Sequence, residues 1–189
     1  MIERANALRK LITTMEQSGG YKRLFRILHI HYNALLSQRP EERLHDFCRC
    51  IEGFILPDKG KTTRQFRSRT ALFVGSKAGD YMLRLYETRS LIEHLQPLEF
   101  PDWPKAKKDC QLIILEAALV AETMSRYCIE RLITNKALWP HFVDDQALAD
   151  FWQLSDAQRA SKWGGVLDLA ALRKIFDPAS VPSHFLDEP

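Results

Sequence analysis

From about Lys105 to Asn135, apolar side chains return at helical spacing (Ile113, Ala117, Val120, Met124, Tyr127 and Leu132), long enough to describe one continuous helix. Such a helix is expected to be the spine of the fold, with the other segments packed around it. Its most apolar run, LIILEAALVAETM from Leu112 to Met124, is broken by Glu116 and Glu122. It falls short of the roughly 18 uncharged residues a membrane-spanning helix needs, so it reads as a buried core helix and no membrane partner is expected.

The remaining segments carry the same period. Ala7–Met15 and Leu24–Leu36 read as two helices separated by Ser18, Gly19 and Gly20. After Pro40, suited to a first helical turn, Leu44, Phe47, Cys48, Ile51, Phe54 and Ile55 form a buried stripe that Pro57 and Gly60 end. Thr62 and Gln65 have capping-box spacing, predicting a helix through Phe66 and Leu72 to Gly75. Asp80 is a plausible N-cap for the next helix, which Pro97 limits before the proline elbow QPLEFPDWP. Short helices are expected near Asp145–Leu154, Ser155–Trp163 and Val166–Phe176. Strand signals are nearly absent, since the β-like ALFVG at 71–75 continues a helical register. The expectation is an all-α bundle of about five main helices in a single domain, residues 1–189. It comprises an N-terminal helix at 2–17, a core from about 20 to 135 and a helical extension over 136–189.

A chain of 189 residues, 46% hydrophobic and 27% charged, suits one well-buried core. The N-terminus lacks the apolar stretch of an export signal. Cys48, Cys50, Cys110 and Cys128 form neither a disulfide framework nor a paired zinc pattern, and reduced thiols in a cytoplasmic protein are the expectation. Cys48 and Cys50 point about 200° apart on a helix, and His29 and His31 likewise diverge, so no metal site is expected. His45, beside Asp46, reads as a surface or packing residue. The four tryptophans are scattered and read as core or interface.

The formal net charge is only +3. Positive charge is nonetheless concentrated locally. KGKTTRQFRSR contains Lys59, Lys61, Arg64, Arg67 and Arg69 without an acid, and YKRLFR adds Lys22, Arg23 and Arg26. Either run can be a footprint for a polyanion or a solvated helix face.

YETRSLIEHLQP, Tyr86–Pro97, carries the least ordinary pairing. Tyr81, Leu85, Ile92 and Leu95 share one helix face, with Arg89 on its shoulder. His94 falls roughly 140° around from Arg89 and about 7.5 Å further along, so both can serve one ligand only by flanking a groove or with a second subunit. Three plainer roles compete: an Arg89–Glu93 ion pair, His94 as a cation at the helix C-terminus, and Arg89 lying along the stripe with its head in water.

R-S-L-I-E-H, Arg89–His94, resembles the R-x4-H motif of the HEPN superfamily of all-α nucleic-acid-associated domains. The preceding CIEGFILPDKGKTTRQFRSRTALFVG resembles the corresponding segment of ApeA-like bacterial HEPN domains. The resemblance spans about residues 41–135. It implies a HEPN-like bundle and a metal-independent endoribonuclease without a cofactor, acting as a homodimer in bacterial defence or toxin–antitoxin biology. A protein partner such as an antitoxin is then possible. Arg89 would hold the scissile phosphate, and His94 would move a proton during attack by the ribose 2′-hydroxyl. Ser90, where the family often has a more strongly polar residue, would orient His94. Lys61, Arg64, Arg67 and Arg69 would contact the RNA backbone. The alternatives are a non-catalytic RNA- or nucleotide-binding module and a helical interaction domain.

Overall fold

A computed structural model of the chain describes residues 2–94 and 107–175. The proline elbow, Trp103 and the end of the chain after Ile175 lie outside the described residues. The helices are α1 (Ile2–Ser18), α2 (Lys22–Leu36), α3 (Pro40–Ile55), α4 (Thr62–Arg69), α5 (Ala71–Val74), α6 (Gly79–Glu93), α7 (Lys107–Thr134), α8 (Asp145–Gln153), α9 (Asp156–Trp163) and α10 (Leu169–Ile175). Short 3-10 turns occupy Ser76–Ala78 and Lys136–Phe142. The fold is all-α, without a strand among the described residues, and α1, α2, α3, α6 and α7 each run 15 residues or more. None of the described helices is long and apolar enough to cross a membrane.

α3 lies at the centre. Pro40 and the acids Glu41 and Glu42 occupy its first turn, where a missing N–H costs nothing and negative charge meets the positive helix end. Leu56 stops it in the left-handed region at φ 46°, just before Pro57. Its most extensive packing is against α7. The stripe of α7 that meets it is made of small side chains, Ala117, Ala121, Ser125 and Cys128, all buried, which allows close axial approach. Cys50 reaches Ser125 across this seam and donates its thiol to the Ile27 carbonyl of α2. All four cysteines are free, and burial pushes the Cys50 thiol up to about 12 and raises those of Cys48 and Cys128 well above the ordinary thiol range. These three are packing residues.

α2 runs antiparallel to α3, and Gly53 sets their separation. A Cβ at Gly53 would sit 2.5 Å from Ile27 Cγ1 and 2.8 Å from its Cδ1. Ile27 is buried and branched at that point, so it cannot swing aside. Gly53→Ala is expected to destabilise by about 1–3 kcal/mol in urea unfolding. An unchanged midpoint would show the crossing is looser than described. Further along, His31 Nδ1 lies 2.9 Å from Ser125 Oγ and its ring packs on Phe47. Burial lowers its pKa. His29 faces Asn33 instead, so the two histidines share no partner.

The first helix and the helices after Asn135 are built into this core. Leu11 and Met15 of α1 are buried, as are Leu148, Phe151, Trp152 and Trp163 of the C-terminal helices. Trp152 Nε1 donates to the Phe54 carbonyl, Trp139 Nε1 to that of Leu132, and Arg131 to that of Trp163. Ser155 and Gln158 form the capping box of α9, and Asp144 caps α8.

Two expected caps are replaced by longer-range bonds. Gln65 does not close a box on Thr62: its Oε1 accepts from the Asp58 backbone N–H at 2.6 Å, and its Nε2 donates to Asp58 Oδ2 at 3.0 Å. Asp80 is the second residue of α6 rather than its cap, and its carboxylate accepts from Arg67 at 2.6 Å. The helix expected to reach Gly75 is interrupted after Arg69. There the Thr70 hydroxyl donates to Phe66 O, and α5 then runs to Gly75 at φ 82°.

Candidate functional site

The buried face of α6 is centred on Met82, Leu85, Tyr86 and Arg89. Arg89 therefore lies inside the stripe and not on its shoulder, because the aromatic Tyr86 turns the helix toward α3 and α4. The residue is only 8% exposed. Its guanidinium bonds Glu93 one turn on, lies 4.0 Å from Glu52 of α3, and sits 5.6 Å over the Tyr86 ring. Tyr86 also hydrogen-bonds Glu52. Burial raises the Glu52 pKa, with Arg89 and Tyr86 pulling the other way. Among the described residues Arg89 Nε is buried without a partner.

α3 supplies the floor. His45, Arg49 and Glu52 recur at intervals of four and three, the polar strip of a helix whose other faces are buried. His45 feels both Arg89 and Glu93, while Arg49 acts on His45 and Glu52 alike. Burial, then the Arg89 charge, holds the His45 imidazole below its ordinary pKa, so it is neutral at neutral pH and able to accept a proton. On the other flank Arg23, Arg26 and Ile30 of α2, with Arg49, Glu52 and Gly53, line a hollow of about 270 Å³. Arg23 grips Asp145 through two bonds of 2.6 and 2.7 Å, Arg49 meets Asp46 at 3.2 Å, and Arg26 is exposed. The result is a groove between α2 and α3 carrying three arginines, with Glu52 at its border also facing Arg89 of α6, whose charge His45 feels.

His94 closes α6. Its backbone N–H donates to Ser90 O at 3.1 Å, and its side chain is exposed. Arg89 turns inward and His94 outward, so the two do not converge within one chain. The Ser90 hydroxyl makes no bond to His94 among the described residues; the link between them is through the backbone.

The basic run lies elsewhere. Lys61 meets Asp58 at 3.2 Å, and Arg67 is held by Asp80. Arg69 donates to the carbonyls of Ile55 and Leu56 at 2.6 Å each, capping the end of α3, and stacks on Trp152. Arg64 is exposed and makes no ion pair among the described residues. Arg64 and Arg69 border a separate cleft against α9. Glu52 and His45 are the residues near Arg89 that a reading of motifs passes over; their signal is the four-and-three polar spacing on α3. No cluster of His, Cys, Asp or Glu able to hold a metal occurs among the described residues.

No protein-family model matches the chain, and comparison with curated proteins and with solved structures returns no match. The functional reading therefore rests on the residues and their geometry.

Proposed function

We propose that the chain is an RNA-directed protein of HEPN type that works as a homodimer and cleaves RNA without a metal ion. The observation that supports this best is a groove lined by Arg23, Arg26 and Arg49, with Arg89 set against Glu52 at its border and His45 within the field of Arg89. Such a groove suits a phosphodiester backbone. Attack by a ribose 2′-hydroxyl on the adjacent phosphorus needs a base, an acid for the departing 5′-oxygen, and a cation for the charge that builds on phosphate. In this reading Arg89 is the cation and His94 transfers a proton, with neutral His45 a second proton acceptor. A phosphate reaching Arg89 takes the place of Glu93, whose side chain is 37% exposed, so the guanidinium exchanges one anion for another and is never left bare.

Because Arg89 and His94 diverge, the chemistry requires two copies. α2 supports that requirement: Phe25, His29, Tyr32 and Leu36 lie on one exposed face beside the groove. An activity of this kind fits bacterial defence or toxin–antitoxin biology in the cytoplasm, with an antitoxin as restraining partner.

A second reading is favoured by one observation: Arg89 is nearly enclosed and already faces two carboxylates. That arrangement suits an RNA- or nucleotide-binding module without turnover, or a helical interaction domain. Incubating RNA with the protein in EDTA separates the readings. The nuclease reading expects cleavage that falls about 100-fold or more in His94→Ala. Salt-dependent binding without cleavage selects the second reading, and absence of binding at low salt removes RNA from both.

A further inference from the structure

The cleft between α4, α5 and α9 is separate from the α2–α3 groove. It encloses about 550 Å³, a volume suited to a small ligand. Three arginines border it, Arg64, Arg69 and Arg159, against one carboxylate, Asp156. Arg159 is committed, donating to Asp156 and to the backbone carbonyls of Trp152 and Leu154. Arg69 bonds only neutral carbonyl oxygens, and both guanidinium groups lie against the Trp152 ring, at 5.2 and 5.4 Å. Burial lowers the Arg69 pKa, the Asp58 carboxylate outside the cleft lining partly offsets this, and Arg159 adds to the lowering as a repelling neighbour. Positive charge therefore exceeds negative here, and Arg64 stands at the rim with no ion pair among the described residues. The other wall is apolar, formed by Ala71, Leu72 and Val166, and Val166 is 59% exposed. Past Ser76 and Val166 a second hollow of about 680 Å³ continues the surface, more apolar and bordered by Leu167 and Tyr81.

We propose that this cleft binds a small phosphomonoester of the mononucleotide class, whose planar base offers an apolar face to the wall. Its phosphate meets Arg64 and the field of Arg69, and its base lies along Leu72 and Val166. A terminal phosphate fits better than a polynucleotide because two of the three guanidinium groups are fixed by backbone carbonyls deep in the wall, leaving one mobile cation. The inference does not depend on the α2–α3 groove or on the activity proposed for the Arg89–His94 site.

Calorimetric titration of the full-length protein with AMP and with inorganic phosphate tests it. AMP is expected to bind saturably at one site and at least about tenfold more tightly than phosphate, with affinity falling between about 50 mM and about 200 mM salt. Arg64→Glu is expected to weaken AMP by about tenfold or more, and the uncharged Val166→Ser to weaken AMP while leaving phosphate unchanged. Both side chains are exposed, so the variants should fold as the parent does, which thermal unfolding checks. The proposal is overturned if AMP does not saturate, if Arg64→Glu binds AMP as the parent does, or if phosphate binds as tightly as AMP. It is likewise overturned if Arg64→Glu reduces RNA binding in a protein that does not bind AMP, which would assign the cleft to a polynucleotide.

Discussion

Trp163→Ala is expected to lower the unfolding free energy by about 3–5 kcal/mol, one of the largest single effects available in the chain. The indole is fully buried, packs 4.6 Å from the Phe73 ring, and closes an aromatic cluster that continues through Trp152, Phe151 and Phe142. The backbone carbonyl of the same residue receives Arg131 from α7, and the Tyr127 hydroxyl donates to Gly165 just beyond. Removing the side chain opens a cavity where the C-terminal helices meet α5. A thermal scan should show a midpoint lower by about 10 °C or more. Val166→Ala, an exposed position in the same segment, should barely move it. If both variants melt like the parent, the segment after Asn135 is peripheral and not part of the core.

Arg89→Met is the second large effect. The long side chain is roughly conserved while its charge is lost, leaving Glu52 and Glu93 on one partly buried surface with only the weaker influence of Arg49 on Glu52. Removing one member of a fully buried pair costs about 3–5 kcal/mol; Glu52 is 21% and Glu93 37% exposed, so about 2 kcal/mol is expected at pH 7. The pH dependence identifies the cause. Burial already raises the Glu52 pKa in the folded chain. A raised acid binds protons more tightly when folded than when unfolded, so its contribution favours folding below the folded pKa and is lost as pH rises through it. Without Arg89 that pKa rises further. Arg89→Met should therefore be most destabilising at neutral to mildly alkaline pH and recover toward pH 4, where the carboxyl is protonated. A deficit independent of pH would mean that Arg89 acts through packing alone.

The long helices are legible in the sequence because each must bury one stripe, and burial writes the 3.6 period directly into the order of residues. Pro40, Gly75 and the Ser155–Gln158 box act at the positions their chemistry dictates. The caps at Thr62 and Asp80 do not, since Asp58 competes for Gln65 and Arg67 competes for Asp80, and neither contact has a local signature. The 3-10 stretch Lys136–Phe142 is equally silent, held by Trp139 reaching back to Leu132. The site divides in the same way. Arg89 is conspicuous as a cation in an amphipathic helix, but its burial follows from Glu52, on a helix that only the tertiary fold brings alongside. Sequence proximity groups Arg64, Arg67 and Arg69 together, whereas the fold pairs Arg67 with Asp80, ties Arg69 to the carbonyls ending α3 and leaves Arg64 exposed. It is Arg23, Arg26 and Arg49, from two separate segments, that share a groove, and Glu52 at its border links it to Arg89.

RNA affinity measured against salt concentration, for the parent and for Glu93→Gln, tests most directly whether Arg89 belongs to an RNA-facing groove. Glu93 is the partly exposed anion that phosphate must displace, and its neutralisation frees the guanidinium with little cost to the fold. Tighter binding is expected for Glu93→Gln, with the slope of log affinity against log salt steeper by about 0.7 for one additional phosphate contact on a single strand. Identical affinity and slope in the two proteins would contradict it and leave Arg89 a structural ion pair.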